Sequence, residues 1–353
     1  MRKLAAALAG VGLLVSGCND TITGTRVEAA LTTTTTEAPV TPSAAMGGYA
    51  PVSDVGQHAK LSLDLCDVNA ALDAANFAAA TAVYRDGKNS AEGAGKRTLG
   101  NFATESRELE DTLGRYQRYL GASWLDAFVS AALNGTGPFA GESEAVRRQA
   151  VQKGARDQIV VAWVLHELDA ALQKAAKASY TKASGAPHNW DEVWAYYHGE
   201  KPECGPFATA EARAKEFGTG SVNQAMLTAM NQGLAALKAK KSSDAVKARN
   251  EVVRNLTVTY LQSAIKSATD LDAALAAGKA DEARAHQAAG WAYFRVIEPL
   301  VAGVNTTSAR TVADVFDLKS KPAAGSASKV AAALAKTYPL LGITPAQIGE
   351  YHR

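Results

Sequence analysis

Cysteine is scarce in this chain, at three of 353 residues, and the 11 prolines are sparse inside the part that reads as folded. Alternating apolar and polar runs, the mark of half-buried strands, are missing, which argues against a sheet-based fold. Missing too are a phosphate-cradling glycine loop, a nucleophile elbow, a His-Glu-x-x-His helix and cysteine pairs at zinc-finger spacing. Without these signatures no enzymatic activity is expected. Neither sign of charge is in excess: 37 basic residues face 35 acidic ones, a net +2. Loss of Arg2 and Lys3 with a leader would leave 35 of each. That balance offers no complement to nucleic acid or to an anionic lipid surface.

What is present begins with Arg2 and Lys3, followed by an apolar run from Leu4 to Val15. The run is too short to span a bilayer and reads as a secretory signal over residues 1–17. It ends in Val15-Ser16-Gly17-Cys18, which looks like a bacterial lipobox with Cys18 as the lipidated residue. The expected location is therefore the cell envelope, anchored through lipid and facing the periplasm or outer surface. Residues 18–60, with five consecutive threonines from Thr32 and several Pro and Gly, read as a flexible tether. The folded domain is expected over 61–353. Cys66 and Cys204 would share an oxidising compartment, as a disulfide or as two separately buried thiols.

Alanine-rich segments with apolar residues at helical spacing predict an all-α helical bundle. Helices are expected near 67–86, 104–120, 122–133, 143–180, 190–198, 208–216, 221–238, 244–277, 280–303, 309–316, 326–336 and 344–351. A shift of 97 positions brings Trp194-Ala195-Tyr196-Tyr197 onto Trp291-Ala292-Tyr293-Phe294, Pro202 onto Pro299 and Arg213 onto Arg310. The expectation is two related halves packed together.

Donor side chains concentrate between His188 and Glu203, where two of the six histidines fall. His188, Asp191, Glu192, Tyr196, Tyr197 and His198 lie there. Helical spacing stacks Glu192 under Tyr196 and places Asp191, Trp194 and His198 on the adjacent stripe. Hard ferric iron favours carboxylate and phenolate oxygens and tolerates imidazole, so this set reads as a candidate iron site. The bland reading is acids at a helix start, suiting its dipole, above a core of aromatics. His166 and Glu167 form a second candidate, on a helix apolar nearly all round. A buried Glu there needs a cation, a histidine or a hydrogen-bond network. His286, Tyr260, Tyr293 and Glu298 form a third set, for which core and surface roles suffice. Tyr84 and Lys88 end a helix in a polar turn that would hold an anion or simply stop the helix.

Two strings carry a resemblance. Tyr84-x-x-Gly87-Lys88-Asn89-Ser90 with Arg97-Thr98-Leu99-Gly100-x-Phe102-Ala103 is one. His188-Asn189-Trp190-Asp191-Glu192-x-Trp194-Ala195-Tyr196-Tyr197-x-Gly199 is the other. Together they resemble the algal iron-assimilating, or low-iron-inducible periplasmic, proteins and their bacterial lipoprotein relatives. The resemblance implies an extracytoplasmic protein that helps capture iron without being the transporter. Tyr84, Lys88, His188, Asp191, Glu192 and Tyr196 are the candidate residues inside those strings. The Arg-Glu-x-x-Glu motif of ferric permeases is absent; Arg107-Glu108-Leu109-Glu110 has the wrong spacing. The resulting expectation is a lipoprotein that binds iron, in the ferric state, beside an uptake-system partner. The rival is a helical scaffold that docks another envelope protein and binds no metal.

Overall fold

The computed structural model describes residues 39–104 and 112–353. Cys18, the signal segment and the Arg107–Glu110 string lie outside the described residues. The expected all-α fold is borne out. Helices run Gly56–Ala59 (α1), Leu61–Asp73 (α2), Phe77–Asp86 (α3), Leu99–Thr104 (α4), Thr112–Leu120 (α5), Trp124–Asn134 (α6), Glu144–Lys153 (α7) and Val160–Ala176 (α8). They continue as Ala186–His198 (α9), Pro206–Glu216 (α10), Val222–Lys238 (α11), Ser242–Ala276 (α12), Ala280–Val304 (α13), Thr306–Phe316 (α14), Ser326–Ala335 (α15) and Pro345–Ile348 (α16). The strands among the described residues are a two-residue hairpin, Ala91–Glu92 (β1) against Gly95–Lys96 (β2). No helix among the described residues is long and apolar enough to cross a membrane.

Local chemistry explains the boundaries. One helix is expected over 67–86, but Ala75 takes a left-handed φ of 56° and Asn76 caps a new start by accepting from Ala79 N–H. The chain there breaks into α2 and α3. Helix α7 runs into α8 through a π-helical turn at Gly154–Ile159. That turn buries Asp157, which accepts from Thr209 Oγ1 at 2.7 Å and from Tyr260 Oη at 3.0 Å. The echoed aromatic strings lie within α9 and α13.

Helix α9 is buried almost throughout and packs along α8 and against α11. Its approach to α11 depends on Gly233, where a methyl group would meet Trp190 Cζ2 at 1.9 Å. Trp190, fully buried, also donates its indole N–H to Met230 O at 2.9 Å. Replacing Gly233 with Ala should lower stability by about 1–3 kcal/mol, because the ring has no room to retreat in a packed core. A lower urea midpoint at unchanged m-value would register it.

The ordered chain begins earlier than expected. Residues 43–60 form an arm laid along α9, not a tether. Tyr49 and Val55 are fully buried, and Trp194 Nε1 donates to Met46 O at 2.9 Å. The arm docks through a few buried side chains and several backbone groups, which leave no periodic apolar pattern to read. Cys66 on α2 and Cys204 in the turn after α9 form a disulfide, with Cα atoms 5.4 Å apart. Closing a loop across 138 positions, it constrains the unfolded chain and is worth several kcal/mol, about 2–5 by the general range.

Candidate metal centre

Helix α9 starts at Ala186, with Pro187 in its first turn, three residues before the expected cap at Asn189. Proline suits that position because its missing N–H would have no helical partner there. The earlier start matters, since it places His188, Glu192 and Tyr196 at i, i+4 and i+8 on one stripe. The adjacent stripe carries Asp191, Trp194 and His198. The two stripes face different structures.

The Glu192–Tyr196 part of the first stripe faces a cavity of about 340 Å³. Glu192 and Tyr196 line it from α9, Glu167 and Trp163 from α8, and His58 from α1. Glu92 and Arg97 from the hairpin region, with Asn101 and Phe102 from α4, complete the wall. His188 Nε2 lies 2.8 Å and His58 Nε2 3.1 Å from Glu192 Oε1. These three residues offer ligand atoms that all lie within 4.8 Å of one another. Two donors about 2.1 Å from a cation at a right angle stand about 3 Å apart, the spacing each imidazole has to Glu192. One carboxylate and two imidazoles would thus grip a divalent cation with little rearrangement.

Electrostatics prepare the same arrangement. Burial pushes Glu192 upward, but hydrogen bonds from His188 and His58 outweigh it and hold the carboxyl well below the usual carboxylate range. A hydrogen bond with Glu167 adds to that effect. Glu167 in turn accepts from Asn189 Nδ2 at 2.5 Å. Tyr196 is pushed well above the ordinary phenol value, first by burial and then by the Glu192 and Glu167 charges. Its phenol stays protonated at neutral pH unless a cation nearby cancels those charges. Aromatic walls fix the positions: Phe102 stacks on Trp163 at 4.0 Å and meets Tyr196 edge-on at 5.4 Å, while His58 stands edge-on to Tyr196 at 5.7 Å. Arg97 bonds Ala91 O at 2.6 Å and lies 3.4 Å from Glu92, securing the hairpin at the rim.

The second stripe holds the arm. Asp191 Oδ1 accepts from Tyr49 Oη at 2.6 Å, and Oδ2 accepts from Val52 N–H and Ser53 N–H, both at 2.9 Å. His198 stacks on Trp194 and lies beside Gly47, whose left-handed φ of 55° and lack of a side chain leave space for the ring. Tyr197 donates to Asn223 Oδ1 at 2.6 Å. Asp191, Tyr197 and His198 are therefore brought to the arm and core and not to the cavity. His166 is buried with its ring 5.1 Å from Trp163, outside the cavity wall. Tyr84 donates to Asp126 at 2.8 Å and Lys88 pairs with Asp67 at 3.1 Å, so neither reaches the cavity. His286 sits by Glu282 at 4.0 Å, and Tyr260 binds the buried Asp157.

His58, Glu92, Arg97 and Asn101 are the cavity residues that sequence reasoning passed over. His58 was hidden by the tether reading. Arg97 had a signal, since it opens the second part of the Tyr84–Ala103 string.

Fold and cavity together define an all-α protein with a candidate His–Glu metal centre. The chain belongs to the family of low iron-inducible periplasmic proteins, whose family model matches residues 24–353. No curated protein and no solved structure matches it.

Proposed function

We propose that this chain is an extracytoplasmic, lipid-anchored protein that binds iron and passes it to an uptake system, without catalysing a reaction. The observation that carries the reading is the convergence of His58, His188 and Glu192, two of which, His58 and Glu192, line a polar cavity. The family's description as low iron-inducible and periplasmic supports iron as the cargo. The lipid anchor at Cys18 rests on the sequence around it. The ferric expectation drew on the oxygens of Asp191 and Glu192 and on a phenolate from Tyr196 or Tyr197; of these, Asp191 and Tyr197 are engaged elsewhere. Two imidazoles and one carboxylate with room beside them suit ferrous iron, so Fe(II) is the cation we assign. Glu167 and Tyr196 would join only on a more highly charged ion.

Anaerobic calorimetry with Fe(II) on the chain lacking its first 18 residues tests this. One equivalent should bind, and His58→Ala and His188→Ala should each remove most of the heat. Absence of Fe(II) binding at neutral pH would sink the assignment. Fe(III) loaded in parallel would reveal the alternative: a visible phenolate-to-iron band that disappears in Tyr196→Phe marks a ferric site, and its absence supports the ferrous one.

The pH dependence has a definite sign. Glu192, held below the usual range, stays ionised on mild acidification. Metal ligands bind only when unprotonated, so iron affinity should fall on acidification. Stability from Glu192 behaves separately. It is present above the ordinary carboxylate value, about 4.3, and is lost only as pH falls toward the depressed folded value. Between pH 7 and 5 the iron-free protein should thus keep the stability due to Glu192 while the iron affinity declines, as parallel melting and binding curves would show.

A further inference from the structure

Away from the His58–Glu192 cavity lies a second chamber, of about 510 Å³. Its apolar walls include the rings of Trp124, Trp291 and Phe128, and its charged lining is Arg295, Lys319 and Asp317. None of these residues lines the first cavity. A concave, largely apolar chamber of this size with a few polar groups at its edge is the usual form of a small-molecule site.

The hydrogen-bonding capacity left over around the chamber is mostly that of donors. Trp124 Nε1–H is buried with no acceptor among the described residues. Arg295 lies over Trp291 with its guanidinium carbon 3.8 Å from the ring centroid, and spends Nη1 on Glu298 at 2.5 Å. That contact fixes the guanidinium plane and leaves its other N–H groups for a ligand. Lys319 is exposed, and its ammonium has no ion-pair partner among the described residues. Asp317, the one acid in the lining, accepts from the Lys319 backbone N–H at 3.0 Å through Oδ1, so two cationic side chains face a single carboxylate. Donors are in surplus, and aromatic surface is waiting for a partner.

We propose that this chamber binds a planar apolar anion, an aromatic carboxylate whose rings pack against Trp124 and Trp291 while its carboxylate meets Arg295 and Lys319. The chamber is independent of the iron site, so Glu192→Gln leaves its binding unchanged.

The probe is 2-naphthoate, titrated into the folded chain by calorimetry with tryptophan fluorescence as a second readout. Saturable one-to-one binding is expected. Lys319→Gln and Arg295→Gln should each weaken it about tenfold, the loss of one charge-assisted contact. Neutral 2-naphthamide should bind at least about tenfold more weakly for the same reason. Ala127 is an exposed lining residue, so Ala127→Trp should fill the mouth and abolish binding at unchanged melting temperature. No saturable binding of naphthoate, equal affinity for the amide, or undiminished binding in Ala127→Trp would each overturn the proposal.

Discussion

Replacing Glu192 with Gln should weaken Fe(II) binding by about a hundredfold or more while leaving helix content unchanged. Loss of a hydrogen-bonding neighbour of a metal ligand already costs 10–100-fold as a rule, and here a proposed ligand goes. Glu192 is also the group that both imidazoles converge upon, so the change removes the anion of the set and the anchor that aims His58 and His188. Gln preserves the volume, and its amide oxygen still accepts from one imidazole, so the iron-free fold should persist. The measurement is a thermal melt with and without iron. Fe(II) at a hundred times the parent's dissociation constant should stabilise the parent protein by about 2.7 kcal/mol, and the Gln variant by about 0.4 kcal/mol or less. An undiminished iron-dependent shift in Glu192→Gln would remove this cavity as the iron site.

The helical architecture was legible because it rests on composition and period. Ala-rich segments with apolar residues at 3.6 spacing admit few other folds, and the stripe logic on α9 separated Glu192 and Tyr196 from Asp191, Trp194 and His198. In the structure those two stripes face the cavity and the arm. What the stripes meet was not legible. Nothing in the pattern around His58 shows a docked segment, since its arm holds through Val52 and Ser53 N–H groups, the Trp194 indole bond to Met46 O and a Tyr49–Trp194 ring contact. A cluster of donors close in sequence was therefore read as one site. Its members divide, and a partner from outside the cluster, His58, completes the candidate metal-ligating set. Helix spacing reports which residues share a face, whereas the choice between ligand and clamp depends on the segment packed against that face.

Asp191 exposes that distinction most sharply. Asp191→Ala should lower stability by about 3–5 kcal/mol, because Tyr49 Oη and the Val52 and Ser53 N–H groups lose their common acceptor in a buried place. The arm would then loosen, and with it His58, so iron affinity should fall by about tenfold or more although Asp191 does not touch the cavity. Asp191→Asn should behave differently. Its amide oxygen can accept from the two backbone N–H groups, and its NH₂ can donate to Tyr49 once the hydroxyl turns. That rearrangement keeps the arm in place without the charge. It also removes a buried anion whose pKa is raised, chiefly by burial, so part of the lost charge-assisted bonding is offset by relief of desolvation. A clamp therefore predicts that the Asn variant keeps nearly parental iron affinity and that the Ala variant loses it together with stability. A ligand predicts that both variants lose affinity alike, Asn with the fold intact, and calorimetry on the pair decides between them.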